Sequence, residues 1–153
     1  GTSVAIAFRA PGADLLGFEY AAKSAKDRAA VDAVVATLAK PLELFVLTDA
    51  AACSVVEASV KQLLDGTHDK HVAHDDHAEN ASKEHEATES HSEFRADYLL
   101  ACDSPEAIVD MTFSYFEVFP NTRELLAQIV TASGVGAFEV VPENPVLDLR
   151  SML

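Results

Sequence analysis

The sequence predicts an α+β fold, in which an antiparallel β-sheet of about five to six strands packs on one long amphipathic helix and carries a long, mobile, His- and acid-rich hairpin loop. Three observations lead to this class. One segment has the apolar spacing of a helix, several others alternate apolar and polar residues as strands do, and residues 65–93 follow neither pattern. Because no helical segments separate most of the predicted strands, parallel βαβ units are disfavoured.

The first elements are a strand and the helix. Residues 3–9 alternate as a strand does, and Pro11-Gly12 is typical of a turn after it. Ser24 is a suitable helix N-cap with Asp27 three residues later, and Pro41 stops the helix because proline cannot continue it. The apolar positions that support these elements are Val4, Ile6 and Phe8 in the strand and Val31, Val34, Val35 and Leu38 in the helix.

The rest of the chain is predicted to consist of strands. Three segments alternate clearly between apolar and polar side chains, namely 54–62, 93–102 and 109–115. Weaker strand candidates are 123–131, 136–141 and a short piece at 146–149. Strands that follow one another in this way form antiparallel sheets, one face of which the helix can cover.

Length and charge restrict the function. A chain of 153 residues has the length of one domain, so we expect a single domain over 1–153 with 65–93 as an inserted flexible loop. The formal net charge of -14 disfavours nucleic acid and anionic lipid surfaces and favours cations. No apolar run reaches the roughly 20 residues that span a bilayer, so no membrane insertion is expected. Since the chain opens at Gly1, we expect that a leader was removed or never included.

Residues 65–93 contain every histidine of the chain. Nine acids against two lysines give this segment a local charge of -7. Val72 is its one branched aliphatic or aromatic residue, so the segment cannot form a core and should be mobile. The six histidines, which are the predicted metal ligands, are His68, His71, His74, His77, His85 and His91.

Neutral imidazole is a good ligand for Zn²⁺, and carboxylates can complete its coordination. In a flexible chain, two to four of these imidazoles can surround one ion, and a short His-rich tract usually binds metal. The alternative is a solvated acidic loop in which the histidines are incidental. Catalysis is not expected, since the sequence has no HExxH, GxSxG, P-loop or GxGxxG motif and a mobile loop is a poor catalytic platform.

An ordered set of motifs extends over nearly the whole chain. Its members are Leu15-Leu16-Gly17-Phe18-Glu19-Tyr20, the Ala-rich helix after it, Leu44-Phe45 to Cys53, the His/acid loop, Phe94 to Cys102, Phe119-Pro120-Asn121-Thr122, and Pro142 to Leu149. This set resembles the ZrgA-type family of periplasmic zinc-binding and zinc-uptake proteins, long catalogued as a domain of unknown function.

The resemblance implies a protein of the Gram-negative periplasm that binds zinc and assists its uptake, delivering it to periplasmic components of an ABC-type importer. Metal binding is carried over only onto the loop histidines. A second function class remains open, in which the protein is a periplasmic interaction or structural module whose charged loop binds no metal specifically.

Cys53 and Cys102 are predicted to form a disulfide. Pairing the strands on either side of the loop brings the start of the first near the end of the second, where the two cysteines lie. An oxidising periplasm would favour the bond. In a regular strand Cys53 would lie on the same face as Val55 and Glu57. A bulge or an irregular start is therefore needed to direct its sulfur toward Cys102. The alternative is two separate buried thiols.

Overall fold

The computed structural model describes residues 2–18, 22–64 and 91–153. Its strands are β1 (Ser3–Pro11), β2 (Phe45–Leu47), β3 (Cys53–Leu64), β4 (Ser92–Cys102), β5 (Asp110–Phe113), β6 (Leu125–Thr131), β7 (Gly134–Val140) and β8 (Val146–Asp148). Its helices are α1 (Gly12–Leu16), α2 (Ala25–Leu38), α3 (Pro41–Leu44) and α4 (Tyr115–Val118), with single 3₁₀ turns at Asp49–Ala51, Pro105–Ala107 and Arg150–Met152. None of the described helices is long and apolar enough to cross a membrane.

The strands of the described residues form two antiparallel sheets. A five-stranded sheet has the order β3-β4-β1-β6-β7, and a three-stranded sheet has the order β2-β5-β8. The mainly antiparallel fold with one long helix therefore agrees with the prediction. The single sheet of five to six strands does not, because eight described strands divide between two sheets. Strand β2 has only three residues, too few for an alternating pattern to be recognised.

Two local predictions are corrected. Pro11-Gly12 is not a turn, because Pro11 is the last residue of β1 and Gly12 begins the short helix α1. The strand predicted over 109–115 ends at Phe113, and Tyr115 is helical. Tyr115 and Phe116 are consecutive and both buried, which one face of a strand cannot accommodate and a helical turn can.

The long helix α2 forms for the reasons visible in the sequence. The Ser24 hydroxyl accepts a hydrogen bond of 3.0 Å from the backbone N–H of Asp27, which satisfies one of the free donors of the first turn. Val34 and Leu38 are buried, and Val31 and Val35 pack partly buried against the core. The predicted apolar stripe is thus the face that the helix buries.

Aromatic rings fill the space between the two sheets. Phe8 of the larger sheet lies 5.5 Å from Phe45 of the smaller one, measured between ring centroids. Phe45 in turn contacts Phe113 at 5.3 Å, and Tyr115 of α4 lies 5.5 Å from Phe8. Edge-to-face rings at these distances add about 0.5–1.5 kcal/mol per pair to the burial of their area. The aromatic cluster therefore joins the two sheets into one core.

Candidate functional site

Strands β3 and β4 frame the segment that contains the predicted metal ligands. They pair antiparallel from Cys53 opposite Cys102 to Leu64 opposite Ser92. Residues 65–90 leave and re-enter this hairpin at the Leu64–Ser92 end. Since β4 begins at Ser92, the last two residues of the predicted loop 65–93 belong to a strand. Neighbouring strands are roughly 5 Å apart, so the two ends of the segment are held close together.

A β-bulge at Val56 sets the direction of the Cys53 side chain. Val55 pairs with Leu100 and Glu57 with Leu99, so Val56 is an additional residue in β3. Before the bulge, Cys53 and Val55 lie on the face of the buried residues of β4. After it, Glu57 lies on the opposite, outer face. The irregularity that the parity of Cys53 requires is therefore present.

Cys53 and Cys102 form a disulfide at the far end of the hairpin, which confirms the predicted pairing. The Sγ atoms are 2.08 Å apart and the two Cα atoms 3.9 Å apart, in directly opposed positions of the ladder. Hydrogen bonds fix the same end, since the N–H of Cys102 donates to the Thr2 carbonyl at 2.8 Å and the N–H of Asp103 to the Ala52 carbonyl at 3.2 Å. A strand of twelve residues places this end roughly 35 Å from Leu64.

Charged side chains surround the base of the hairpin on the outer face of the sheet. Glu93 lies 3.7 Å from Arg95 of its own strand and 3.9 Å from Arg9 of β1, measured between carboxylate oxygen and guanidinium nitrogen. All three side chains are more than a third exposed, so each ion pair contributes at most about 1 kcal/mol. Sequence patterns did not reveal this group, because the pairing of Arg9 with Arg95 across two strands depends on the register.

The opposite, inner face of the same base is closely packed. Ser92 is buried, and a Cβ built on Gly12 would lie 2.0 Å from its hydroxyl oxygen. Any side chain at Gly12 would require Ser92 to shift, so glycine allows the close approach at the start of α1. The Ser92 hydroxyl has no hydrogen-bond partner within the described ranges. Packing of α1 on Ser92 therefore holds the point at which the chain returns from residues 65–90.

Five of the six predicted ligands lie outside the described residues, namely His68, His71, His74, His77 and His85. His91 is described, and it is an exposed residue immediately before β4. Within residues 2–18, 22–64 and 91–153, no three His, Cys, Asp or Glu side chains form a group that could hold a metal ion. Metal binding by the loop histidines thus stays a prediction.

The sequence was compared with models of known protein families. One that describes the ZrgA family zinc uptake proteins matches residues 1–149 of the 153. This chain belongs to the ZrgA family. The matched range of this ZrgA-family chain includes β3, β4, both cysteines and the segment between the two strands. No curated protein matches the chain.

Membership in a zinc uptake family agrees with zinc as the partner that the six histidines suggest. Leu64 and Ser92, which precede and follow the histidine segment, are paired with each other, and the opposite end of that ladder is closed by a covalent bond.

Proposed function

We propose that this protein is a periplasmic zinc-binding accessory that captures Zn²⁺ with the histidines and carboxylates of residues 65–91 and assists zinc uptake by handing the ion to an ABC-type importer. The protein acts as a binder and not as an enzyme. The observation that carries the proposal is the position of all six histidines, directly between the two paired strands of a chain in a zinc uptake family.

The composition of residues 65–90 suits capture of a cation. Five histidines supply imidazole nitrogens, and eight acids against two lysines give a local charge of -6. The carboxylates attract Zn²⁺ over a distance of about one Debye length, roughly 8 Å at physiological ionic strength. Imidazoles then form the stronger bonds, because borderline metals such as zinc prefer nitrogen to carboxylate oxygen.

The strands that flank these ligands are held by contacts that do not involve residues 65–90. Eleven register pairs join β3 to β4 from Cys53–Cys102 to Leu64–Ser92. The ladder, the disulfide and the packing of Gly12 on Ser92 oppose opening of the hairpin at and beyond the Leu64–Ser92 pair. Capture and release of zinc thus require no unfolding of the core.

Calorimetric titration with zinc tests the proposal on two matched variants. Replacement of His68, His71, His74 and His77 by Ala should abolish most of the binding heat. The control replaces four other polar residues of the same segment by Ala, and it should bind zinc as the parent does. These residues are Thr67, Asn80, Ser82 and Thr88. If the parent shows no heat at micromolar zinc, the alternative function holds, in which the protein is an interaction or structural module that binds no metal specifically. If the histidine variant binds like the parent, the ligands lie elsewhere.

Delivery to an importer needs its own measurement. The zinc-loaded protein is mixed with the purified substrate-binding component of a periplasmic ABC zinc importer, and the metal content of each is measured after separation. Transfer faster than the spontaneous release of zinc into a chelator indicates direct handover. Transfer at the rate of spontaneous release assigns the protein a buffering role.

A further inference from the structure

Strand β3 is an edge of the five-stranded sheet. In the part of the chain that the structure describes, β4 is its one strand neighbour, and every residue of β3 is exposed or half-buried. The strand is twelve residues long and exposes apolar side chains, with Val56 59% and Leu63 40% exposed. Long exposed edges usually pair with another strand or carry features that prevent pairing.

The charges of β3 are arranged symmetrically about Ser59. Glu57 and Lys61 lie two residues before and after it, and both are exposed. Because Glu57 pairs with Leu99, Ser59 with Asp97 and Lys61 with Arg95, all three lie on the outer face of the sheet. A strand with opposite charges at equal distances from its centre is complementary to an antiparallel copy of itself.

We propose that a second copy of this chain pairs with β3 in antiparallel orientation, about a two-fold axis that passes between the two Ser59 residues. Glu57 then lies opposite Lys61 of the partner subunit, and the same contact occurs twice because the interface is isologous. Ala58 lies opposite Val60 of the partner subunit on the inner face. The two five-stranded sheets thereby continue into one sheet of ten strands.

Charge favours this register over others on the same strand. An axis through residue 58 or 60 would place Glu57 or Lys61 opposite Ser59 and form neither ion pair. An axis through residue 61 would place two lysines opposite each other, and an axis through residue 57 would do the same with two glutamates, both of which are unfavourable. The other edge strand, β7, has no cation between Gly134 and Val140, so it cannot form such pairs with itself. The Val56 bulge limits the regular ladder to residues 57–61 of each copy, and the dimer should therefore depend on concentration.

Charge exchange tests the register by analytical ultracentrifugation between micromolar and millimolar protein. Glu57→Lys and Lys61→Glu each convert two attractive contacts into two repulsive ones, and each should weaken dimerisation by at least about tenfold. The double variant restores both contacts and should recover the parent's dimerisation. Glu117→Lys on α4 and Lys26→Glu on α2 alter the net charge equally at exposed sites outside β3 and should leave dimerisation within about twofold.

Three results would overturn the proposal: a monomer at all concentrations, a double variant that dimerises no better than the single ones, or control variants that weaken dimerisation as much. Circular dichroism of every variant establishes that the fold is retained.

Cross-linking gives a second test of the same register. Directly opposed residues of antiparallel strands have Cβ atoms about 4.5–5.5 Å apart, which is near disulfide range. Ser59→Cys should therefore form a covalent dimer under mild oxidation. Ser133→Cys, in the exposed turn between β6 and β7, reports random collisions. Equal rates of dimer formation by the two variants would contradict the two-fold axis at Ser59.

Discussion

The hydroxyl of Tyr98 on β4 donates a hydrogen bond of 2.6 Å to the carbonyl oxygen of Leu38, the last residue of α2. Carbonyls in the final turn of a helix have no partner within the helix, so this bond satisfies one of them inside the core. Burial, and secondarily the charge of Asp97, raises the pKa of Tyr98 above its ordinary value. The phenol thus remains a donor throughout the physiological pH range.

Tyr98→Phe should lower the free energy of unfolding by about 1–3 kcal/mol, because it leaves the buried Leu38 carbonyl without this donor. Urea denaturation monitored by circular dichroism measures the loss. Thr37→Val is the matched control, since it removes an exposed hydroxyl that bonds to the Ala33 carbonyl at 2.9 Å near the end of the same helix. An equal loss of unfolding free energy in both variants would show that the buried Tyr98 hydrogen bond contributes no more to stability than the exposed Thr37 one.

Much of this fold could be predicted because its strongest elements have local causes. The Ser24 cap, the stripe from Val31 to Leu38 and the Pro41 stop are each visible within one segment of sequence. Strands β1 and β4 alternate between buried and less buried residues over most of their length, and β3 alternates between apolar and polar residues over 56–61. The pairing of β3 with β4 followed from their order along the chain, and the disulfide followed from that pairing. The pairing of β1 with β4 was not predicted, because these strands are not consecutive in the sequence.

The features that could not be predicted depend on tertiary contacts. The second sheet needs β2, a three-residue strand that is recognised only by its pairing of Phe45 with Phe113. The bulge was expected at the start of β3, but its position at Val56 follows from the register with Leu99 and Leu100. For residues 65–90 the composition of the sequence indicates which metal ligands are present. It does not indicate how they are arranged.

Loss of the disulfide should destabilise the protein while leaving the fold intact. Replacement of both Cys53 and Cys102 by Ser removes a bond that closes a 49-residue separation. The chain-entropy model gives about 4 kcal/mol for a loop of this size. The midpoint of urea denaturation of the parent should shift to a lower urea concentration when a reductant is present. The midpoint of the double Ser variant should not change on addition of the reductant. A parent whose midpoint is insensitive to reductant would contradict this prediction.

Glu124 and Glu139 should make stability depend on pH. The pKa of Glu124 is raised, chiefly by a side-chain hydrogen bond with Glu139 and secondarily by the negative charge of Glu139. A raised carboxyl pKa in the folded state favours folding below the ordinary pKa of about 4.3 and opposes it as pH rises through the raised value. Glu139→Gln should therefore raise the melting temperature near pH 7 and not near pH 4. Glu143→Gln, an exposed acid in the following turn, should show no such difference.

Zinc binding should weaken as the pH falls, because protons and Zn²⁺ compete for the same imidazole nitrogens. A free imidazole has a pKa of about 6.5, so its neutral fraction falls roughly tenfold between about pH 7.5 and about pH 5.5. A site with two histidine ligands should therefore lose about 100-fold in affinity over this range, and a site with more should lose more. Competition with a chelator of known affinity measures this at both pH values. The variant lacking His68, His71, His74 and His77 should retain only weak binding with a shallower dependence. Affinity in the parent that is independent of pH in this range would assign the ion to carboxylates instead, since these ionise well below pH 5.5.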